Sequence, residues 1–162
     1  MSLKVDGKIY YIRGGSCVYP KEPNGLVDVD VFVGLDVNMV DTSMQLPWEH
    51  GTAFKYPIKN YGVPGSKKNF DHLLKFLSDS ILSGMDVFVG CIGGHGRTGL
   101  VLAALVNHMT GEVDAIRYVR ENYCIKAVDN QKQEHWLHRH YGIKLPEAKK
   151  PKYQGSILDR QW

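Results

Sequence analysis

The run Asp86-Val-Phe-Val-Gly-Cys91-Ile-Gly-Gly-His-Gly-Arg97-Thr98-Gly99-Leu-Val-Leu-Ala-Ala constrains this chain more than any other stretch. Val87 to Val89 read as a short buried strand, and Leu100 to Val106, apolar almost all round, read as a buried central helix. Between them, glycines at 93, 94 and 96 let the backbone curl tightly, so that successive N–H groups point inward. Unpaired amides and a helix dipole at one place favour negative charge, which makes the turn a nest for a tetrahedral anion. The fold class expected from this is α/β, with a central mixed sheet flanked by helices. The anion loop stands at the carboxyl end of the strand that finishes at Gly90.

Cys91 lies at the base of that nest, where inward amides, the helix dipole and the Arg97 charge all favour a thiolate. Arg97 offers a planar fork that grips two equatorial oxygens of a phosphoryl group, which a lysine cannot copy. Thr98 has a hydroxyl to donate toward the sulfur when it becomes a leaving group. Ile92, Gly93, Gly94, His95, Gly96 and Arg97 are the phosphate-binding set on this reading. The competing reading makes Cys91 a small apolar residue ending a strand, with an ordinary turn after it. The arginine placed six positions after the cysteine and followed by threonine separates the two.

The rest of the chain supplies one domain around this loop. Strands are expected over Lys8 to Arg13, Val27 to Leu35 (Val27, Val29, Val31 and Val33 alternating with Asp28, Asp30 and Phe32) and Ala53 to Tyr56. Phe70, Leu73, Leu74, Leu77 and Ile81 recur at helical spacing between a candidate N-cap, Ser66, and Gly84. Thr110-Gly111 separates the central helix from an amphipathic segment with Val113, Ile116 and Val119, and a last helix covers Gln131 to Tyr141. The expected boundaries are a catalytic domain over 1–145 and a loose tail over 146–162, with Pro146, Pro151 and the basic run Lys149, Lys150 and Lys152.

Length and balance agree: 162 residues, 43% hydrophobic and 23% charged, are enough for one buried core. A net charge of +3 suits an anionic substrate and falls short of a nucleic-acid footprint. Three cysteines, Cys17, Cys91 and Cys124, are too few and scattered for a disulfide framework, and no CxxC pair suggests zinc. The first residues carry no apolar signal core, and no stretch reaches membrane-spanning length. A monomer in the cytoplasm, away from membranes, is the expectation.

Cys91-Ile-Gly-Gly-His-Gly-Arg97-Thr98-Gly99 resembles the signature loop of the protein-tyrosine and dual-specificity phosphatase superfamily. Upstream, Tyr56-Pro57-Ile58-Lys59-Asn60-Tyr61-Gly62-Val63-Pro64 resembles the family's mobile acid loop, in which an aspartate precedes an aromatic, Gly, Val and Pro. Downstream, Ala127-Val128-Asp129-Asn130-Gln131-Lys132-Gln133 resembles its glutamine loop. The resemblance spans residues 27 to 141 and implies the family's fold. It also implies a two-step mechanism without a cofactor or metal. Cys91 attacks to give a cysteinyl-phosphate, and water oriented by Gln133 releases phosphate. A protein carrying phosphotyrosine, with phosphoserine or phosphothreonine behind it, is the implied partner, and Tyr61 is placed to pack near the ring.

Two positions depart from the pattern. Gly90 stands where relatives have histidine before the nucleophile. Asn60 stands where relatives have the general-acid aspartate, and an amide cannot donate a proton as an acid. Positioned acid catalysis contributes roughly 100- to 10,000-fold, so the departure matters. Three explanations stay open. Another group supplies the proton, with Asp129 preferred, His95 second, and Asp36 and Asp41 behind them. Alternatively the leaving group needs little help, as in the cysteine-dependent RNA 5′-triphosphatases that this chain resembles in lacking the acid, and nucleic acid would then be the partner. The third is a phosphate-binding module that has lost turnover.

Other residues read more plainly. His135, His138 and His140 do not share one helical face, so a solvated helix surface outweighs a metal site. Trp136 and Leu137 pack inward. Cys124 reads as a buried, inert thiol rather than a resolving partner for Cys91. Lys55, Lys59, Lys67 and Lys68 flank the acid-like loop as a positive rim or as plain surface.

Overall fold

A computed structural model of the chain describes residues 1–18, 29–39 and 52–147. Strands β1 (Ser2–Val5) and β2 (Lys8–Tyr11) form an antiparallel hairpin. Its two-residue turn, Asp6-Gly7, has both residues at positive φ, the geometry that matches strand twist in tight hairpins. The single strand expected over 8–13 divides at the buried Ile12, because the chain leaves the hairpin there and enters a different sheet as β3 (Arg13–Ser16).

That second sheet holds β3, β4 (Val31–Gly34), β5 (Thr52–Lys55) and β6 (Val87–Cys91) in the order β3-β6-β4-β5, every pair parallel. The mixed character expected of one sheet is thus divided between a parallel sheet and a separate antiparallel hairpin. All four residues of β4 are buried, so the expected alternation of inward and outward positions does not hold there. A parallel strand covered on both faces has no solvent side. Val31, Val33, Val87 and Val89 join the main core, while Phe32 and Phe88 stack at 4.9 Å on the other face beside Cys17 and Met39. Val27 and Asp28 lie outside the described residues.

The helices are α1 (Lys67–Leu82), α2 (Gly96–Thr110), α3 (Ala115–Asn122) and α4 (Gln131–Tyr141). Ser66 caps α1, its Oγ accepting from the Asn69 amide, and Phe70, Leu73, Leu74, Leu77 and Ile81 face the core as the spacing predicts. α2 is buried on every side from Gly96 to Val106 and packs against α1, α3, α4 and β6. Val113 precedes α3 and is exposed, so it does not belong to the amphipathic face that Ile116 and Val119 form. Asn130 caps α4, and Leu137 and Trp136 pack inward, the indole edge-on to Phe70. The core closes at Ile143. Lys149, Lys150 and Lys152 lie outside the described residues. Among the described residues no helix is long and apolar enough to cross a membrane.

Candidate active site

The loop from Cys91 to Gly96 joins the carboxyl end of β6 to the first turn of α2. Cys91 ends the strand paired with Ser16 and is 3% exposed. Gly94 bends the turn at φ +70, which only glycine adopts freely, and Gly96 opens the helix. Cys91, Ile92, Gly93, His95, Gly96 and Arg97 line one cleft of about 230 Å³, together with Asn60, Tyr61 and Asp129. Of the loop residues expected to bind phosphate, Gly94 is absent from that lining.

Gly90 has a steric cause. A Cβ at this position would stand 2.8 Å from the Gly15 carbonyl oxygen and 2.9 Å from the Cys17 nitrogen, as well as against the Phe88 ring. Neighbouring backbone cannot yield as a side-chain tip can, so no histidine fits before the nucleophile in this sheet. Gly90→Ala is expected to lower stability by about 1–3 kcal/mol, as overpacking does. Thermal unfolding followed by circular dichroism checks it; an unchanged or raised midpoint contradicts the steric account.

Arg97 is 3% exposed and is held from behind. Its Nη1 donates to Asp36 Oδ2 at 2.8 Å, to the Ile58 carbonyl at 2.8 Å and to the Leu35 carbonyl at 3.4 Å. With that nitrogen occupied, the Nε and Nη2 edge remains to meet a ligand in two parallel hydrogen bonds. Burial pushes the Asp36 carboxyl up, but hydrogen bonds from the Asn38 amide and from Arg97, with the Arg97 charge, outweigh it and hold the carboxyl below its ordinary value. Asp36 is therefore a fixed anion that aims Arg97, and its candidacy as proton donor falls. Asp41 lies outside the described residues.

The Thr98 hydroxyl is fully buried and has no hydrogen-bond partner among the described residues. An unpaired buried hydroxyl is costly.

Asn60 sits exposed at the cleft mouth, its Oδ1 turned to the Tyr61 amide at 3.2 Å. Asp129 reaches the same cleft from the α3–α4 connection. Its carboxylate lies on Gly96 so closely that a Cβ there would run into both oxygens, and its Oδ1 accepts from Asn130 Nδ2 at 2.8 Å. The backbone that presents it is strained: Val128, β-branched and fully buried, has φ +55. Arg120 holds this strand of chain by donating to the Ala127 and Val128 carbonyls at 3.0 and 2.7 Å while paired to Glu134 at 2.9 Å.

Gln133 is not among the residues that line the cleft. It is wholly buried, and both ends of its amide are engaged. Oε1 accepts from the Asp129 amide at 3.1 Å and Nε2 donates to the Gly62 carbonyl at 3.1 Å, so it ties the acid-like loop to Asp129. Cys124 is half-buried rather than buried, with its Sγ 3.1 Å from His95 Nδ1. None of Lys55, Lys59, Lys67 and Lys68 lines the cleft, and Lys67 instead pairs with Asp71 at 2.6 Å. His135 and His138 contact the Gln131 and Ile143 carbonyls and His140 lies against Trp136, so the three do not converge. Sequence reasoning missed the Arg97 anchor and Tyr123, whose hydroxyl donates to Gly94.

The fold has known counterparts. A family model described as a polymorphic toxin system DSP-PTPase phosphatase matches residues 25–112, which include the whole loop. Two uncharacterized proteins of Methanocaldococcus jannaschii are each 34% identical over 137 residues, 80% of this chain and 87% or 80% of their own length. The solved structure of Tk-PTP in its active form superposes with a TM-score of 0.66 at 24% identity, covering 75% of this chain and 85% of that one. PTPMT1 (TM-score 0.64, 16% identity, 88% of this chain and 94% of that one) and human DUSP28 (0.64, 15%, 81% and 91%) share the fold. With the cysteine, the arginine and the glycine turn standing in one cleft of this fold, the chain belongs to the DSP-PTPase phosphatase family.

Proposed function

We propose that this chain hydrolyses aryl phosphomonoesters, phosphotyrosine in a protein foremost and phosphoserine or phosphothreonine less readily, through a cysteinyl-phosphate at Cys91. The observation that carries the reading is one cleft lined by Cys91, an Arg97 aimed by Asp36, and the Asp129 carboxylate. In the first step the Cys91 sulfur attacks phosphorus as the bond to the leaving oxygen breaks, and a protonated Asp129 gives that oxygen its proton. Arg97 and the loop amides hold the equatorial oxygens, whose charge they stabilise in place. In the second step water attacks, the phosphorus–sulfur bond breaks, and Asp129 takes the water's proton. The Thr98 hydroxyl donates to the departing thiolate.

Two features support an aryl substrate. Tyr61, 66% exposed, and Ile92 put apolar surface at the mouth, where an aromatic ring can rest. An aryl oxide also leaves more readily than an alkoxide, which suits a site with Asn60 in the usual acid position. All three cysteines are free, in keeping with the reducing cytoplasm proposed as its setting. The test is to quench the chain during turnover of a phosphorus-labelled aryl phosphate and map the label. Label on the Cys91 peptide is expected; turnover with no label on the chain rejects the covalent mechanism.

A further inference from the structure

Tyr123 closes α3, and the next residue begins the turn toward α4. Its hydroxyl donates to the Gly94 carbonyl at 2.6 Å. The ring lies on Gly14, where an added Cβ would stand 2.7 Å from it, and Gly94 lies on the backbone of Gly15 at 2.7–2.9 Å by the same measure. The Gly14-Gly15 pair of β3 therefore seats both partners of this hydrogen bond. Cys124, next in the chain, meets His95. Two consecutive residues of the α3–α4 turn thus hold two consecutive residues of the phosphate loop.

The 94–95 peptide is trans, so its carbonyl and its N–H point to opposite sides. Drawing the Gly94 carbonyl toward Tyr123 turns the His95 N–H away from the phenol, and His95 lines the cleft while Tyr123 does not. We infer that Tyr123 is a positioning residue for oxyanion binding: its hydroxyl locks the 94–95 peptide in the orientation that keeps the His95 amide among the phosphate donors. Burial, then the neighbouring Cys91 and Cys124 thiols, push the Tyr123 phenol far above its ordinary value, so it remains a donor throughout the working range. The inference rests on the reading of the loop as a phosphate site.

The experiment is calorimetric titration of the full chain, unmodified or carrying Tyr123→Phe or Cys124→Ala, with orthovanadate, at a temperature where circular dichroism shows each folded. Tyr123→Phe is expected to weaken orthovanadate binding on the order of tenfold, the weight of one hydrogen bond. Cys124→Ala, which keeps the phenol, is expected to weaken it less. Tyr123→Phe binding within about twofold of the unmodified chain, whatever its melting temperature, overturns the positioning role alone, since one lost hydrogen bond carries more than that. The reverse order of the two variants overturns it as well. No orthovanadate binding by the unmodified chain sinks the phosphate-site reading, and this inference with it.

Discussion

Cys91→Ser is expected to abolish hydrolysis of an aryl phosphate, by at least about 10,000-fold, while the variant still binds inorganic phosphate. The substitution is close to isosteric, and Cys91 is buried at the end of β6 where its backbone carbonyl receives the Cys17 amide at 2.9 Å. The strand, the loop amides and the Arg97 anchor therefore stay in place. What changes is the nucleophile: a serine hydroxyl is a far weaker nucleophile than a cysteine sulfur unless a general base activates it. Binding and chemistry come apart in this variant. Phosphate should raise the melting temperature of both chains, and only the unmodified one should turn over. Residual activity within tenfold of the unmodified chain would remove Cys91 from the mechanism; loss of phosphate stabilisation would mean the loop had collapsed, and the comparison would then rest on Cys91→Ala.

The features that the sequence made legible are those written in consecutive residues. Cysteine, glycines, arginine and helix lie in one run, so the loop, its place between strand and helix, and the capping of α1 by Ser66 can all be read without tertiary information. The opposite holds for what supports the loop. Asp36 looks like any acidic residue after a strand, and its task exists only because Arg97, far along the chain, is folded back onto it. Gly90 looks like a lapse from the family pattern until the Gly15 carbonyl of β3 fills the space its side chain would need. β3 itself, Arg-Gly-Gly-Ser, has no strand propensity and is a strand because β6 runs beside it. The β1–β2 hairpin is a different kind of miss, since Asp6-Gly7 carried a usable turn signal. For Gln133, the resemblance implied a role with water, and the hydrogen bonds its amide makes to the Asp129 amide and the Gly62 carbonyl, which tie two loops together, had no signal in the sequence.

Asp129→Asn is expected to lower kcat by about 100- to 10,000-fold on aryl phosphates with poor leaving groups, and much less on those with good ones. The reason is the arrangement around it. Asn60, at the mouth, carries an amide that cannot give a proton, and Asp36 is fixed as the partner of Arg97. Of the two donor candidates that line the cleft, His95 has its Nδ1 at 3.1 Å from Cys124 Sγ, whereas the Asp129 carboxylate lies on Gly96 in the first turn of α2, and Asp129 is the one the substitution tests. A lost proton donor shows itself in the dependence of rate on leaving-group basicity, because protonation matters most when the departing oxide is a strong base. The unmodified chain should respond weakly across a series of substituted phenyl phosphates, and Asp129→Asn steeply. Asn60→Asp should change little, since Asp129 already fills the role. Gln133→Leu should fall between, because it releases both the Asp129 amide and the Gly62 carbonyl without touching a reacting atom. Equal leaving-group dependence in the unmodified chain and Asp129→Asn would remove Asp129 as the acid, and a rate gain of about 100-fold in Asn60→Asp would show that the acid position at residue 60 is vacant rather than replaced.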